Sequence, residues 1–292
     1  MTRVKKNFWL FMGPSVLVIL SLVIFPLFFS LNVSLRTWLM NAPLIPKSFN
    51  GFANYSKIVR DPNFLVVLRN TFIIVGLATG SEFFLGLLLA YLMSKINKFS
   101  HIMTILLVVP MMAAPVMVGV IWKMFYEPTF GFLNLFLKLT GSHLVIEWLS
   151  DSRIALISIA VSDIWEWTPF IFLILYAGMI SLPKEPFEAA TVDGASGWKI
   201  FFKIILPLIK PAILVVVLIR TIDCFKFFDV IWILTGGGPG NTTENLSMYI
   251  YHNAFKYFDL GYASALSFIL LVFVMIPTTL FLRFMTKGEE IN

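Results

Sequence analysis

Charged and aromatic residues set inside long apolar runs are the places where this sequence could do chemistry. Asp163, Glu166 and Trp167 fall in one run, with Trp165 beside them. Arg220 and Asp223 fall in a second, with Lys226, Phe227 and Asp229 toward its far end, and Glu82 stands in a third. A charge near the middle of a bilayer costs about 2.5–3.5 kcal/mol on insertion scales, so each needs a reason. One reason is a path for a polar solute: carboxylates and a guanidinium bind hydroxyls, and Trp and Phe rings cover apolar C–H faces. The other is pairing between helices, which holds a bundle together. Asp163, Glu166 and Arg220 fit both readings, and Glu82 fits the second better. Arg220 and Asp223, three apart, are placed for an ion pair along one helix. Asp163 and Trp167, four apart, share a face.

The elements that carry these residues follow from composition. Of 292 residues, 59% are hydrophobic and only 13% charged. Ordinary globular chains have about 45–50% and 25%. A water-soluble chain could not hide that surface, and disorder is excluded for the same reason. A bilayer core of about 30 Å needs roughly 20 apolar residues of helix. Six stretches qualify, at about 8–35, 70–93, 102–125, 154–180, 204–228 and 261–285. Backbone hydrogen bonding in hydrocarbon requires helix there, and the runs lack the alternation of a membrane barrel. The expected fold is therefore all-α, a polytopic membrane protein of six transmembrane helices in a single domain over 1–292.

The first stretch follows Arg3, Lys5 and Lys6 but is longer than a signal-peptide core and has no small-residue cleavage site, so an uncleaved span is expected. Lys and Arg are denser in the segments that an N-inside topology places inside, which puts both termini in the cytoplasm. The net charge of +6 then suits cytoplasmic loops and anionic headgroups. No basic block with interleaved aromatics suggests nucleic acid. Cys224 is the single cysteine, which excludes an internal disulfide, and His101, His143 and His252 lie far apart, so no metal site is expected. Prolines punctuate the spans, among them Pro26, Pro110, Pro115, Pro207 and Pro211. They fit kinked packing or helices that bend during a transport cycle.

Residues 181–211 read SLPKEPFEAATVDGASGWKIFFKIILPLIKP. Pro186 suits the first turn of a helix running to about Asp193, Gly194 can stop it in the left-handed conformation, and Ser196 can cap the next helix. Small Ala189, Ala190 and Ala195 would let another protein approach closely, and Glu188 and Asp193 would reward a basic partner surface. An ordinary solvated connector is the plain alternative. Glu188-Ala189-Ala190, Asp193-Gly194-Ala195, Ile204 and Leu206-Pro207 resemble the EAA loop of ATP-binding-cassette importer permeases in residue types and in spacing. The resemblance implies that this loop is a cytoplasmic coupling helix docked on an ATPase subunit, with Glu188 against a basic residue of that ATPase.

Residues 225–255 extend the likeness. Phe228-Asp229, Leu234-Thr235, Gly237-Gly238-Pro239, Thr243 and Tyr249-x-Tyr251 resemble the carbohydrate branch of those permeases, the importers of maltose, lactose, polyols and glycerol phosphate. Gly236–Gly240 lacks the Gly-Lys-Ser/Thr ending of a phosphate loop and reads as a glycine turn. The likeness spans about 8–286, but the extra N-terminal spans and large outer domain of the best-known maltose-type member have no counterpart here, so nothing tied to them is carried over. It implies a permease of the bacterial or archaeal inner membrane that brings a sugar into the cytoplasm without a cofactor. The implied partners are a second permease subunit in a heterodimer, two cytoplasmic ATPase subunits and an external solute-binding protein. Asp163, Glu166, Trp167, Arg220, Asp223 and Phe227 become the expected sugar path. An ion-driven transporter acting without an ATPase is the alternative, and it would leave the 181–211 loop unexplained. No HExxH, GxSxG or His cluster supports a membrane-embedded enzyme.

Overall fold

The computed structural model describes residues 2–40, 48–96, 100–142 and 144–289; His143 lies outside the described residues. The elements are α1 (Thr2–Ile19), α2 (Phe25–Ser34), β1 (Arg36–Thr37), β2 (Ser48–Phe49), α3 (Ala53–Arg60), α4 (Pro62–Ser94), α5 (Ser100–Val108), α6 (Pro115–Phe125), α7 (Phe132–Leu139) and α8 (Ala155–Ile180). There follow α9 (Glu185–Val192), α10 (Gly197–Ile200), α11 (Leu206–Leu208), α12 (Lys210–Phe225), α13 (Asp229–Leu234), α14 (Leu246–Tyr251) and α15 (Leu260–Glu289). Among the described residues, four helical stretches are long and apolar enough to cross a membrane: Phe11–Ser34, Pro62–Ser94, Ala155–Ile180 and Leu260–Arg283. The number rises to six if two bent pairs each count as one span.

Proline chemistry explains the bends. The apolar run over 102–125 breaks between Val109–Met112, a 3-10 turn, and α6, with an angle of 94° between the pieces. Ala114 precedes Pro115 and is extended (ψ 140°), because a proline ring pushes the residue before it out of the helical region. The run over 204–228 breaks at Ile209 by 68°, with Pro211 opening α12. Two π turns, Leu20–Ile24 and Phe201–Ile205, each contain the residue four before a proline: Leu22 before Pro26, and Lys203 before Pro207. Widening the turn there relieves the clash between the ring and that carbonyl. The helix α4 begins at Pro62, eight residues before the apolar run. The Asp61 side chain accepts from the Asn63 N–H at 3.0 Å and starts it. Its 33 residues make a rod of about 50 Å, longer than the hydrocarbon is thick.

The chain forms two compact units. The first comprises residues 1–64 and 249–271. In it, β1 and β2 pair antiparallel, and Asn54 donates to the carbonyls of Ser34 and Arg36. Asp61 accepts from the hydroxyls of Tyr249 and Tyr262, while Lys57 pairs with Asp259 at 3.1 Å. Burial pushes the Asp61 carboxyl up, but the two tyrosine hydroxyls and the backbone N–H groups of Asn63 and Phe64 outweigh it. The group is held below the usual carboxylate range. From Phe11 to Phe29 the apolar side chains point outward, Phe11 at 79% exposure and Phe25 at 70%. That face is suited to lipid.

The second unit comprises residues 65–248 and 272–292 and holds both large apolar clusters. One gathers Ile74, Val118, Trp122, Ile159 and Val230. The other joins Ala90, Ile171, Phe172, Leu175, Phe201 and Val216. Helices α4 and α8 meet at Gly86, where an added Cβ would lie 2.8 Å from the Ile171 side chain and 2.9 Å from the Phe172 backbone nitrogen. The backbone atom cannot step aside, so overpacking should cost about 1–3 kcal/mol. Gly86→Ala is expected to lower the melting midpoint of the purified protein. Gly80→Ala, with nothing within 4 Å, should not lower it. Equal midpoints would show that the α4–α8 contact accepts a methyl group without strain.

Candidate functional site

Three helices of the second unit converge on one buried cation. Arg220 on α12 donates from Nε to Glu82 Oε2 at 2.7 Å and from Nη2 to Glu82 Oε1 at 2.8 Å, a two-pronged clasp on α4. The same Nη2 donates to Asp163 Oδ2 on α8 at 2.9 Å. All three side chains are essentially inaccessible, at 2%, 0% and 1% exposure. The guanidinium also lies 4.8 Å from the centre of the Trp167 ring, within cation–π range. The pair along one helix between Arg220 and Asp223 is not what forms. Val216, Arg220 and Cys224 make a buried stripe at four-residue spacing, which aims Arg220 at the neighbouring helices. Two buried carboxylates need that cation more than the partly exposed Asp223 does, and Asp223 pairs instead with Lys226 at 3.2 Å. Glu82, Asp163 and Cys224 also bring atoms of metal-ligand type within 4.8 Å of one another. Arg220 donates to all three and supplies the positive charge there.

Beside this triad lies a cavity of about 140 Å³. Its wall contains Asp163, Glu166, Trp167, Arg220, Asp223 and Phe227, so the structure brings together the six residues singled out for a polar path. Pro115, Lys226, Phe228 and Asp229 complete it. None of these four belongs to the expected path; Lys226 and Asp229 stand in the sequence only as charges at the far end of their run. Pro115 comes from the break before α6, and Phe228 from the segment between α12 and α13. Glu166 is 1% exposed, and its Oε2 has no hydrogen-bond partner among the described residues.

The loop between α8 and α12 is built by local rules. Pro186 sits in the first turn of α9. At the other end Gly194 takes a φ of 71°, its N–H bonds the Thr191 carbonyl at 3.1 Å, and the Ala195 N–H reaches back to the Ala190 carbonyl at 2.9 Å. This is a Schellman stop, which needs a left-handed residue at Gly194. The Ser196 hydroxyl accepts from the Lys199 N–H at 3.4 Å and begins α10. Phe187 packs against the second apolar cluster, and Phe201 meets Tyr91 edge-on at 4.6 Å, so the loop is anchored on α4. Glu188, Ala189, Asp193 and Gly194 are exposed, while Ala190 and Ala195 are half-buried. Val192 and Trp198 stand out at 87% and 71% exposure.

The pattern of the family described as "Binding-protein-dependent transport system inner membrane component" matches residues 82–287, which include the triad, the cavity and the loop. "Probable ABC transporter permease protein y4oQ" of Sinorhizobium fredii is 34% identical over 290 residues, covering 99% of this chain and 93% of its own. "Trehalose/maltose transport system permease protein MalF" of Thermococcus litoralis is 32% identical over 286 residues, covering 96% and 94%. A solved chain from a bacterial alginate ABC transporter, in complex with an alginate pentasaccharide-bound periplasmic protein, superposes with a TM-score of 0.83 over 96% of this chain and 94% of that one. At 21% identity that likeness shows the fold. This chain belongs to the multi-pass inner-membrane components of binding-protein-dependent ABC transport systems.

Proposed function

We propose that the chain is one permease subunit of an importer that brings a sugar or sugar-like solute into the cytoplasm. ATP hydrolysis belongs to separate subunits. The reading pairs this chain with a second, non-identical permease, two cytoplasmic ATPase subunits and an external solute-binding protein. It places both termini and the 181–203 loop on the cytoplasmic side. Glu188, Ala189, Ala190, Asp193, Gly194 and Ala195 form the ATPase-docking face. Asp163, Glu166, Trp167, Arg220, Asp223 and Phe227 line this subunit's half of the sugar path.

The observation that carries the reading is the pairing of two features on the same helices. Helix α8 brings Asp163, Glu166 and Trp167 to the cavity wall and ends at Ile180, immediately before the loop. The chain leaves the loop into α10 to α12, which brings Arg220 to the same wall. A docking surface with exposed Val192 and Trp198 is thus joined by short chain segments to a charged, aromatic cavity. The hydroxyl-accepting carboxylates and the aromatic rings suit a sugar, in keeping with the trehalose and maltose in the name of the Thermococcus relative. An ion-driven transporter would have no use for the docking surface.

The test is tagged purification from cells that express the neighbouring transport subunits, followed by reconstitution. An ATPase and a second permease should co-purify, and sugar uptake into the vesicles should stop when ATP is withheld. Uptake that persists without ATP would sink the reading. For orientation, a cysteine at Glu185 should react with a membrane-impermeant maleimide only after permeabilisation. The native Cys224 is buried and stays silent. Labelling from outside intact cells would reverse the topology.

A further inference from the structure

The cavity wall carries four carboxylates, Asp163, Glu166, Asp223 and Asp229, against two cations, Arg220 and Lys226. Both cations are already engaged. Arg220 is clasped by Glu82 and shared with Asp163, and Lys226 is held by Asp223 at 3.2 Å. Glu166 is different: it is 1% exposed, lines the cavity, and presents a buried Oε2 with no hydrogen-bond partner among the described residues. A buried carboxylate oxygen left unpaired is costly, so it marks a place where a ligand's donor improves the site.

Resting on the permease reading above, we propose that this cavity selects its solute by charge. It takes an uncharged or amino-bearing saccharide, with Glu166 accepting a hydrogen bond from a hydroxyl or ammonium group, and it excludes anionic sugars. Coulomb repulsion gives the reason. No cation in the wall is free to receive a carboxylate or phosphate. An entering anion meets a wall of four carboxyl groups with both cations already paired, and a partly buried site is screened little by salt. A neutral sugar meets an acceptor in need of a donor, with Trp167 and Phe227 beside it for the apolar face of a ring. An ammonium group gains charge–charge attraction as well.

The experiment uses the purified permease–ATPase complex without the solute-binding protein, so that the binding protein's own preferences do not enter. Saturation-transfer NMR, which registers weak binding, is recorded with trehalose, glucosamine and glucuronate at equal concentration. Trehalose and glucosamine should give signal and glucuronate should give none. Glu166→Ala should weaken trehalose binding about tenfold. Glu166→Gln combined with Asp229→Asn keeps the sizes and leaves two wall carboxylates against two cations, and it should let glucuronate bind. Equal signals for glucuronate and trehalose in the unaltered complex would overturn the proposal, as would trehalose binding indifferent to Glu166→Ala. The wild-type comparison decides the matter even where a variant fails to fold. ATP-driven uptake by the same complex, once the binding protein is added, is a separate readout. Its absence would count against the permease reading, whereas intact uptake without charge discrimination would count against this proposal alone.

Discussion

Arg220→Met is expected to destabilise the protein more than any other single change in the bundle. The substitution leaves Glu82 and Asp163 facing each other, both at 1% exposure or less, with no cation between them. Removing one partner of a buried ion pair costs about 3–5 kcal/mol, because the charge left behind has neither water nor a counter-ion. In equilibrium terms that is about two to four orders of magnitude, a large part of the roughly 5–15 kcal/mol by which a folded domain is stable. The purified variant should melt well below the wild type, and little of it should survive extraction from the membrane. Arg220→Lys keeps the charge but loses the two-pronged geometry on Glu82, so it should fall between the two. The triple variant Glu82→Gln, Asp163→Asn, Arg220→Met removes every charge and should recover most of the lost stability. Exchanging a whole buried ionic group for neutral side chains is often tolerated when breaking it is not. If Arg220→Met melts like the wild type, the triad does not hold α4, α8 and α12 together.

That triad also marks the limit of what a sequence displays. Its members are 138 and 57 residues apart along the chain, and nothing local states that Arg220 reaches Glu82 before Asp223. The usable signal was the apolar neighbours of Arg220 at positions 216 and 224, which put it on an inward face. Local rules fared better. Pro186, Gly194 and Ser196 act within a turn of themselves, so helix start, stop and cap in the 181–203 loop were readable from residue type alone. Long apolar runs were equally plain, since hydropathy sums over many residues. Hydropathy does not register direction, however. The stretches 102–125 and 204–228 are continuous by composition yet turn through 94° and 68°, and a proline by itself does not distinguish a kink from a break. The early start of α4 hid in the Asp61-Pro62 pair, a capping signature outside the apolar run. Helix α7 hid in what read as a loop, where Phe132 and Phe136 sit one turn apart and stack at 6.3 Å. The convergence of the six path residues on one cavity required the packing of α8 against α12, which no spacing encodes.

Gly194→Val is expected to uncouple the transporter while leaving the bundle standing. The glycine holds a φ of 71°, and a Cβ added there would meet nothing within 4 Å. The penalty is therefore purely one of backbone, about 1–2 kcal/mol for a non-glycine residue in the left-handed region, and more for a β-branched one. Helix α9 is eight residues long, too short to stand without its ends, and the bonds from Gly194 and Ala195 close its last turn. Loss of that closure re-aims Glu188, Ala189 and Asp193, the residues proposed to meet the ATPase, without touching the apolar clusters that set folding. The variant should reach the membrane at the wild-type level. ATP-driven uptake should fall about tenfold, and stimulation of the ATPase by loaded binding protein should be lost with it. Asparagine tolerates the same conformation, so Gly194→Asn should keep uptake within about twofold. That contrast separates backbone strain from any effect of side-chain bulk at an open site. Normal uptake by Gly194→Val would mean that the angle set by this turn is not what transmits ATP hydrolysis to the cavity.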